Sequence, residues 1–266
     1  MKVEVSGHEV HVGTGSRPLD PTQPAVLFVH GAGMDHTVWV MQARYFARKG
    51  YAVLAPDLPG HGRSAGEPLK SIEAMADWLA ELLRVLAVPA ATVVGHSMGS
   101  LVACAFPARH PEQTTAIVLF GASLPMPVTH LLLDAAEDND HAAFTMANSW
   151  SHSTAGSLGG NPVPGMFVLR GGERLLERLA PGVYFADLSA CNAFDPAELG
   201  PVTVPATVVV GTEDRMTPQK AGLKVAASLG SETQVRTLAG SGHSMMSECP
   251  NEVLDILIDA VPVPRP

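Results

Sequence analysis

The pentapeptide Gly95-His96-Ser97-Met98-Gly99 decides the fold of this chain. The apolar run Ala91-Thr92-Val93-Val94 before it predicts a buried strand, and residues 101–106 after it have a helical pattern. A Gly-x-Ser-x-Gly turn between a strand and a helix strains its serine and exposes the hydroxyl at the end of the sheet. The glycines let neighbouring backbone pass close by, and the helix N-terminus favours developing negative charge. The stretch therefore predicts a nucleophilic serine, Ser97, at a sheet edge.

Segments typical of strands and helices alternate along most of the chain. The continuous apolar run Ala25-Val26-Leu27-Phe28-Val29 is typical of a strand that is buried on both faces. Ser71 can cap the helix that follows it, and Gly50 suits the position just after a helix end. The alternation predicts an α/β fold, a mostly parallel, doubly wound sheet with helices on both faces. After an N-terminal hairpin (3–5 and 10–12), the predicted strands cover residues 25–29, 51–55, 91–94, 115–120, 206–210 and 233–238. The predicted helices cover residues 38–49, 72–86, 98–109, 218–229 and 249–258.

The stretch from about residue 122 to residue 194 breaks this alternation. It is rich in Met, Gly and Pro and contains no clear buried strand. A structureless loop of that length is uncommon in a compact domain, so we expect a small helical cap over the carboxyl edge of the sheet rather than irregular surface loops. The chain would then consist of a core, residues 1–121 and 195–266, and an inserted cap, residues 122–194.

Three further sites fall where predicted strands end. His30-Gly31-Ala32-Gly33 follows the strand at 25–29, and its glycines would let backbone N–H groups approach a bound oxygen. Asp214 follows the strand at 206–210. His243 follows the strand at 233–238, on a loop flexed by glycines. The order along the chain is therefore serine, aspartate, histidine.

These sites, together with Asp57-Leu58-Pro59-Gly60-His61-Gly62-Arg63-Ser64, resemble the motifs of the α/β-hydrolase fold family over essentially the whole chain apart from the cap. That family has the same order of serine, aspartate and histidine. The resemblance and the chemistry both make Ser97 the nucleophile, His243 the general base and Asp214 the residue that orients the imidazole. They assign the oxyanion hole to the backbone N–H groups of Met98 and Ala32. The chain resembles the serine esterases and the cofactor-free haloperoxidase-like branch, which implies no cofactor.

Several neighbouring residues have alternative interpretations. Glu213, next to the predicted catalytic aspartate, could take its role, although the spacing in the family favours the aspartate. We expect Asp187 and Asp195 to be surface groups. His61 is expected to serve its glycine-rich turn, and His152 is expected to be exposed rather than in contact with substrate.

The predicted binding pocket is apolar or lined by small residues. Methionine side chains adapt to irregular shapes, which suits modest specificity for an apolar acyl or alcohol group. The predicted site lacks an obvious charged anchor for a substrate. Arg63, Arg170 and Arg174 could serve the carboxylate of a ring-cleavage product, but the sequence cannot place them. Besides Ala32 and Met98, the candidate substrate-binding residues are Met126, Met146, Trp150, Met166 and Phe167.

The composition narrows the class of protein. Of the 266 residues 46% are hydrophobic and 16% are charged, which predicts a substantial core rather than disorder. The formal net charge of −9 argues against nucleic acid or an anionic membrane as a partner. The three cysteines lack a C-x-x-C pair and the histidines lack metal-ligand spacing, so neither a disulfide framework nor a metal site is expected. Without a signal-like start or a membrane-length apolar run, we expect a soluble, cytoplasmic protein, whether monomer or homo-oligomer.

The sequence thus predicts a serine carboxylic ester hydrolase that cleaves small to medium apolar esters through an acyl-enzyme intermediate. A lactonase or a C–C bond hydrolase of ring-cleavage products would carry the same motifs, and the latter would need polar groups for a substrate carboxylate. A small-molecule receptor with a hydrolase fold is the alternative from another class. It would stall as an acyl adduct, so rapid turnover distinguishes the enzyme from the receptor.

Overall fold

The computed structural model describes residues 1–160 and 168–262, and an eight-stranded sheet forms its centre. The strands are β1 (Lys2–Val5), β2 (His8–Gly13), β3 (Ala25–Val29), β4 (Ala52–Pro56), β5 (Ala91–His96), β6 (Thr114–Phe120), β7 (Ala206–Gly211) and β8 (Gln234–Leu238). They lie side by side in the order β1-β2-β4-β3-β5-β6-β7-β8. The hairpin of β1 and β2 joins β4 in an antiparallel fashion, and all other pairs are parallel. The predicted mostly parallel sheet is confirmed.

Helices cover both faces of the sheet. Successive side chains of a strand point to opposite faces, so Leu27 and Val29 pack toward α2 and α3, whereas Val26 and Phe28 pack toward α1 and α11. Within the described residues, the five helices α4 to α8 lie between β6 and β7. The helices are α1 (Val40–Arg48), α2 (Ile72–Val85), α3 (Met98–Arg109), α4 (His130–Glu137), α5 (His141–Ser151), α6 (Thr154–Ser157), α7 (Val168–Leu176), α8 (Val183–Ala193), α9 (Gln219–Leu229), α10 (Met245–Glu248) and α11 (Pro250–Ala260).

The helix starts follow from local capping. Ser71 caps α2 as predicted, because its Oγ accepts a hydrogen bond from the backbone N of Ala74 at 3.1 Å. The helix predicted over 38–49 begins differently. A 3₁₀ turn, His36–Trp39, precedes α1, and the carboxylate of Asp35 accepts from the backbone N of Thr37 at its start.

The segment between β6 and β7 has a small apolar cluster of its own. Leu132, Ala136, Ala147 and Leu188 are among its members, and they join α4, α5 and α8. No strand occurs in this segment within the residues that the structure describes. Across those same residues, no helix combines the length and the apolar character needed to cross a bilayer.

Candidate active site

Ser97 lies in the one-residue turn between β5 and α3. Its φ of 54° and ψ of −119° place it in a region that L-residues rarely adopt. The turn requires glycine on both sides. A Cβ on Gly95 would overlap the carbonyl oxygen of Gly99, and a Cβ on Gly99 would overlap the carbonyl oxygen of Val29. The Gly-x-Ser-x-Gly spacing therefore follows from the close approach of three backbone segments.

His243 and Asp214 form a buried pair beyond the ends of β8 and β7. The Nδ1–H of His243 donates to Asp214 Oδ2 at 2.8 Å, and both side chains are almost fully buried. Thr217 Oγ1 donates to the same oxygen at 2.8 Å. Burial alone would raise the pKa of Asp214, but His243 and the donors of Thr217 more than offset it and lower that pKa below its usual value. The carboxylate is therefore held in its charged form beside the imidazole.

His96 holds the backbone of His243 in place. Its Nε2–H donates to the carbonyl oxygen of His243 at 2.8 Å, and the two rings lie 4.7 Å apart between centroids. Burial, reinforced by the neighbouring His243, lowers the pKa of His96 to about 3. His96 is therefore a neutral donor that supports the loop of the predicted base.

Ser97 and His243 line the same cavity of about 150 Å³. His243 Nε2 is buried and has no hydrogen-bond partner within the described part of the chain. Ala32 lines the cavity as well. The remaining walls are largely apolar and come from the segment between β6 and β7, and they include Val128, Leu132, Leu176, Tyr184, Leu188 and Cys191.

The two backbone N–H groups predicted for the oxyanion hole belong to Ala32, which lines this cavity, and to Met98, which directly follows Ser97. Met98 is the first residue of α3, so its N–H has no acceptor within the helix. Ala32 belongs to a tight turn closed by a hydrogen bond from the backbone N of Met34 to the carbonyl oxygen of Gly31, at 3.1 Å. Within the described residues, neither the N–H of Ala32 nor that of Met98 donates to another backbone group outside regular elements.

The predicted pocket residues divide into three groups. Met126 and Trp150 line the cavity. Met146 does not line it, because α5 turns Ala147, Trp150 and Ser151 toward the cavity and leaves Met146 packed within the helical segment. The side chain of Met98 is also absent from the walls, since it is completely buried in the core beneath the turn. Met166 and Phe167 lie outside the described residues.

Asp187 is buried, and the expectation of a surface group was wrong. Its Oδ2 accepts from the backbone N of Gly33 at 2.8 Å and contacts Nε2 of His61 at 2.8 Å. The side chain of Asp187 is 0% exposed and that of His61 is 1% exposed. Asp187 lies on the same face of α8 as Tyr184, Leu188 and Cys191, at the helical spacing that could have indicated its burial.

His61 does more than complete a turn. Its Nδ1 faces the carbonyl oxygen of Pro59 at 3.0 Å and its Nε2 faces Asp187. Since both partners accept hydrogen bonds, the ring is satisfied by donating from both nitrogens, as an imidazolium. Burial opposes this charge, but Asp187 more than offsets the burial and raises the pKa of His61. A buried ion pair therefore joins the loop after β4 to α8 and to the turn that carries Ala32.

Two further residues differ from the sequence-based expectation. His152 is buried rather than exposed, and its Nδ1–H donates to the carbonyl oxygen of Asn148 at 2.7 Å. It lines a second cavity of about 360 Å³ that shares Met34, Ser151 and Leu176 with the first. No sequence motif singles out Arg215, yet it lines the cavity of Ser97. A charged side chain therefore lies on the cavity wall, although no charged anchor is obvious from the sequence.

Two groups of side chains in the described residues bring possible metal ligands within 4.8 Å of one another: His11 with His36 and Asp57, and His141 with Glu173 and Glu177. Neither group lines the cavity of Ser97. In the first group, Asp57 already accepts hydrogen bonds from the backbone N of His36 and of Arg63. We assign these contacts to the stability of the loop rather than to a metal.

Comparison with known proteins agrees with the fold. The sequence profile described as "Alpha/beta hydrolase family" matches residues 26–256, and the chain belongs to that family. An uncharacterized protein of Mycobacterium tuberculosis is 37% identical over 100 residues, which cover 37% of this chain and only 29% of that protein. The enol-lactonase of Burkholderia xenovorans superposes with a TM-score of 0.83 at 23% identity, covering 97% of this chain and 98% of the other. A thermophilic esterase superposes with a TM-score of 0.80 at 26% identity, covering 97% and 95%. The protein is thus an α/β hydrolase with esterases and a lactonase among its structural neighbours.

Proposed function

We propose that this protein is a serine hydrolase that cleaves small carboxylic esters through an acyl-enzyme intermediate. The observation that carries the proposal is the convergence of Ser97 and the His243–Asp214 pair on one small cavity. A cavity of about 150 Å³ in another protein binds benzene, so an acyl group of about six heavy atoms suits this one. Metal-independent acyl transfer needs no group beyond these side chains and the backbone.

In the proposed first half-reaction, Ser97 Oγ attacks the ester carbonyl carbon while His243 Nε2 takes the hydroxyl proton. Nε2 of His243 has no hydrogen-bond partner among the described residues, so its lone pair is free to accept this proton. Asp214 keeps Nδ1 protonated and stabilises the imidazolium that forms. The imidazolium then protonates the leaving alkoxide, and the acyl group stays on Ser97. Water, activated by the same imidazole, hydrolyses the acyl-enzyme in the second half-reaction.

The backbone N–H groups of Ala32 and Met98 form the oxyanion hole in this proposal. They belong to different elements, the turn after β3 and the start of α3, and so can approach one oxygen from two sides. Loss of one such donor costs about 2.7–4 kcal/mol of transition-state stabilisation. We also propose that residues 122–194 act as the cap that shapes the cavity, since most of its apolar wall comes from α4, α5, α7 and α8.

A lactone is an internal ester, and the same steps would open it. The superposition on an enol-lactonase supports including small lactones in the substrate range. Esters and lactones would use the same nucleophile and base, so Ser97→Ala should abolish the hydrolysis of both.

The test is hydrolysis of p-nitrophenyl esters from acetate to palmitate by the wild type and by Ser97→Ala. We expect rapid turnover of the short acyl groups, poor turnover of palmitate, and a loss of at least about a thousandfold in kcat for Ser97→Ala. Ser228→Ala is the matched control, because this exposed hydroxyl only donates to the carbonyl oxygen of Val225 on α9. Wild-type rates in Ser97→Ala would refute the mechanism. A single stoichiometric burst without turnover would favour a receptor.

A further inference from the structure

We infer that the substrates carry a free carboxylate and that Arg215 binds it. This inference rests on the proposed function and names the substrate class of the same site. Among the described residues, Arg215 is the only Lys or Arg that lines the cavity of Ser97 and His243. The other walls are mostly apolar, so a guanidinium there is the one permanent positive charge that a bound molecule would meet.

The backbone of Arg215 is fixed by the predicted triad itself. Asp214 Oδ1 accepts hydrogen bonds from the backbone N of Met216 at 2.9 Å and of Thr217 at 2.8 Å. This Asx-type turn places Arg215 at its tip, next to two other residues that line the cavity. Arg215 is therefore carried by a backbone that hydrogen bonds fix beside Asp214, and its side chain is exposed to solvent.

Arg215 has no structural partner that would explain its charge. Asp214 is already saturated, because Oδ1 accepts from two backbone N–H groups and Oδ2 accepts from His243 and Thr217. No other carboxylate of the described residues forms an ion pair with Arg215, whereas Arg109 and Arg236 pair with Asp77 and Asp259. An uncommitted guanidinium in a chain with a net charge of −9 is available to an external anion.

The shape and charge of the Arg215 guanidinium favour a carboxylate as its ligand. Its planar fork matches a carboxylate with two parallel hydrogen bonds, which are stronger than bonds between neutral groups. Arg215, Ser97 and His243 line one cavity of about 150 Å³, so a small molecule can reach Arg215 and Ser97 together. The substrate class is therefore small esters and lactones that carry a free carboxylate.

The experiment compares matched anionic and neutral substrates. Mono-p-nitrophenyl glutarate is paired with p-nitrophenyl pentanoate, and 4-acetoxybenzoate with its methyl ester, which places the charge on the acyl and the leaving side in turn. We expect Arg215→Met to lower the anionic-to-neutral ratio of kcat/KM in at least one pair by about tenfold at low ionic strength. Added salt should lower the ratio in the wild type and leave it nearly constant in the variant. Arg44→Met, an equal change of net charge on the exposed face of α1, should leave the ratio as in the wild type.

A calorimetric titration of glutarate into the wild type and Arg215→Met gives a readout that needs no turnover. Weaker binding by the variant supports the inference. Unchanged ratios in both substrate pairs, or equal losses on the anionic and neutral members, would overturn it. If no ester is hydrolysed in a Ser97-dependent manner, the proposed function fails, and the titration alone decides the inference: binding lost with Arg215 supports it, and absent or Arg215-independent binding overturns it.

Discussion

The buried pair of His61 and Asp187 yields a sharp prediction about stability. Replacement of Asp187 by Asn keeps the size of the side chain and an oxygen that can accept from Gly33, but removes the counter-ion of the imidazolium. The side chains of His61 and Asp187 are 1% and 0% exposed, so the cost of breaking a buried ion pair applies rather than the smaller cost of breaking a surface pair. We expect the free energy of unfolding to fall by about 3–5 kcal/mol. At roughly 2–4 °C per kcal/mol for a chain of this size, Tm should fall by about 10 °C.

The pH dependence of the same variant separates charge from packing. The pKa of His61 is raised in the folded protein, so the stabilisation by the pair is fully present below the unfolded pKa of about 6.5 and is lost as pH rises through the folded pKa. Asp57 adds to the attraction, whereas His30, whose pKa burial lowers to about 4, stays neutral beside the ring. The gap in stability between the wild type and Asp187→Asn should therefore be largest near pH 6 and narrow at higher pH.

Urea unfolding followed by circular dichroism at several pH values measures both effects. Asp195→Asn is the matched control, because Asp195 is exposed and Asn caps a helix start about as well as Asp does. We expect this control to stay within about 0.5 kcal/mol of the wild type. An Asp187→Asn variant as stable as the control, with an unchanged pH dependence, would refute the ion pair.

Two further predictions concern the turn and the pair at the site. Gly95→Ala should prevent folding or cost more than about 3 kcal/mol, since the added Cβ overlaps the carbonyl oxygen of Gly99, and expression with thermal unfolding would show it. A stable, fully active Gly95→Ala would contradict the geometry of the turn. Thr217→Val removes a donor to Asp214, so the pKa of that carboxyl should rise and kcat/KM should fall by about tenfold, with the acid limb of the pH–rate profile moved to higher pH. Thr217→Ser should restore the profile, and a failure of both effects would show that this donor does not hold the carboxylate.

Much of the fold could be predicted because buried parallel strands leave a simple pattern. The continuous apolar run at 25–29 predicts a buried strand, and the glycines around Ser97 predict a tight turn between a strand and a helix. The carboxyl ends of parallel strands meet at one edge, so the sequence predicts that Ser97, Asp214 and His243 lie close together.

The parts that could not be predicted depend on which way a polar side chain points. Asp187 occupies an apolar stripe of α8, and its burial is compensated by the imidazole of His61, on a loop 126 residues earlier, and by the backbone N–H of Gly33. Met146 and Trp150 lie four residues apart on the same helix, yet only Trp150 reaches the cavity. Arg215 follows the predicted aspartate directly, and the Asx-type turn that fixes its backbone is not evident from the sequence.

The hydrogen bond from His96 to His243 links two positions that are 147 residues apart. Since His96 directly precedes Ser97, its imidazole joins the predicted nucleophile to the loop that carries the predicted base. Any redesign that transplants this serine turn to another scaffold must carry residue 96 and its carbonyl partner along with it.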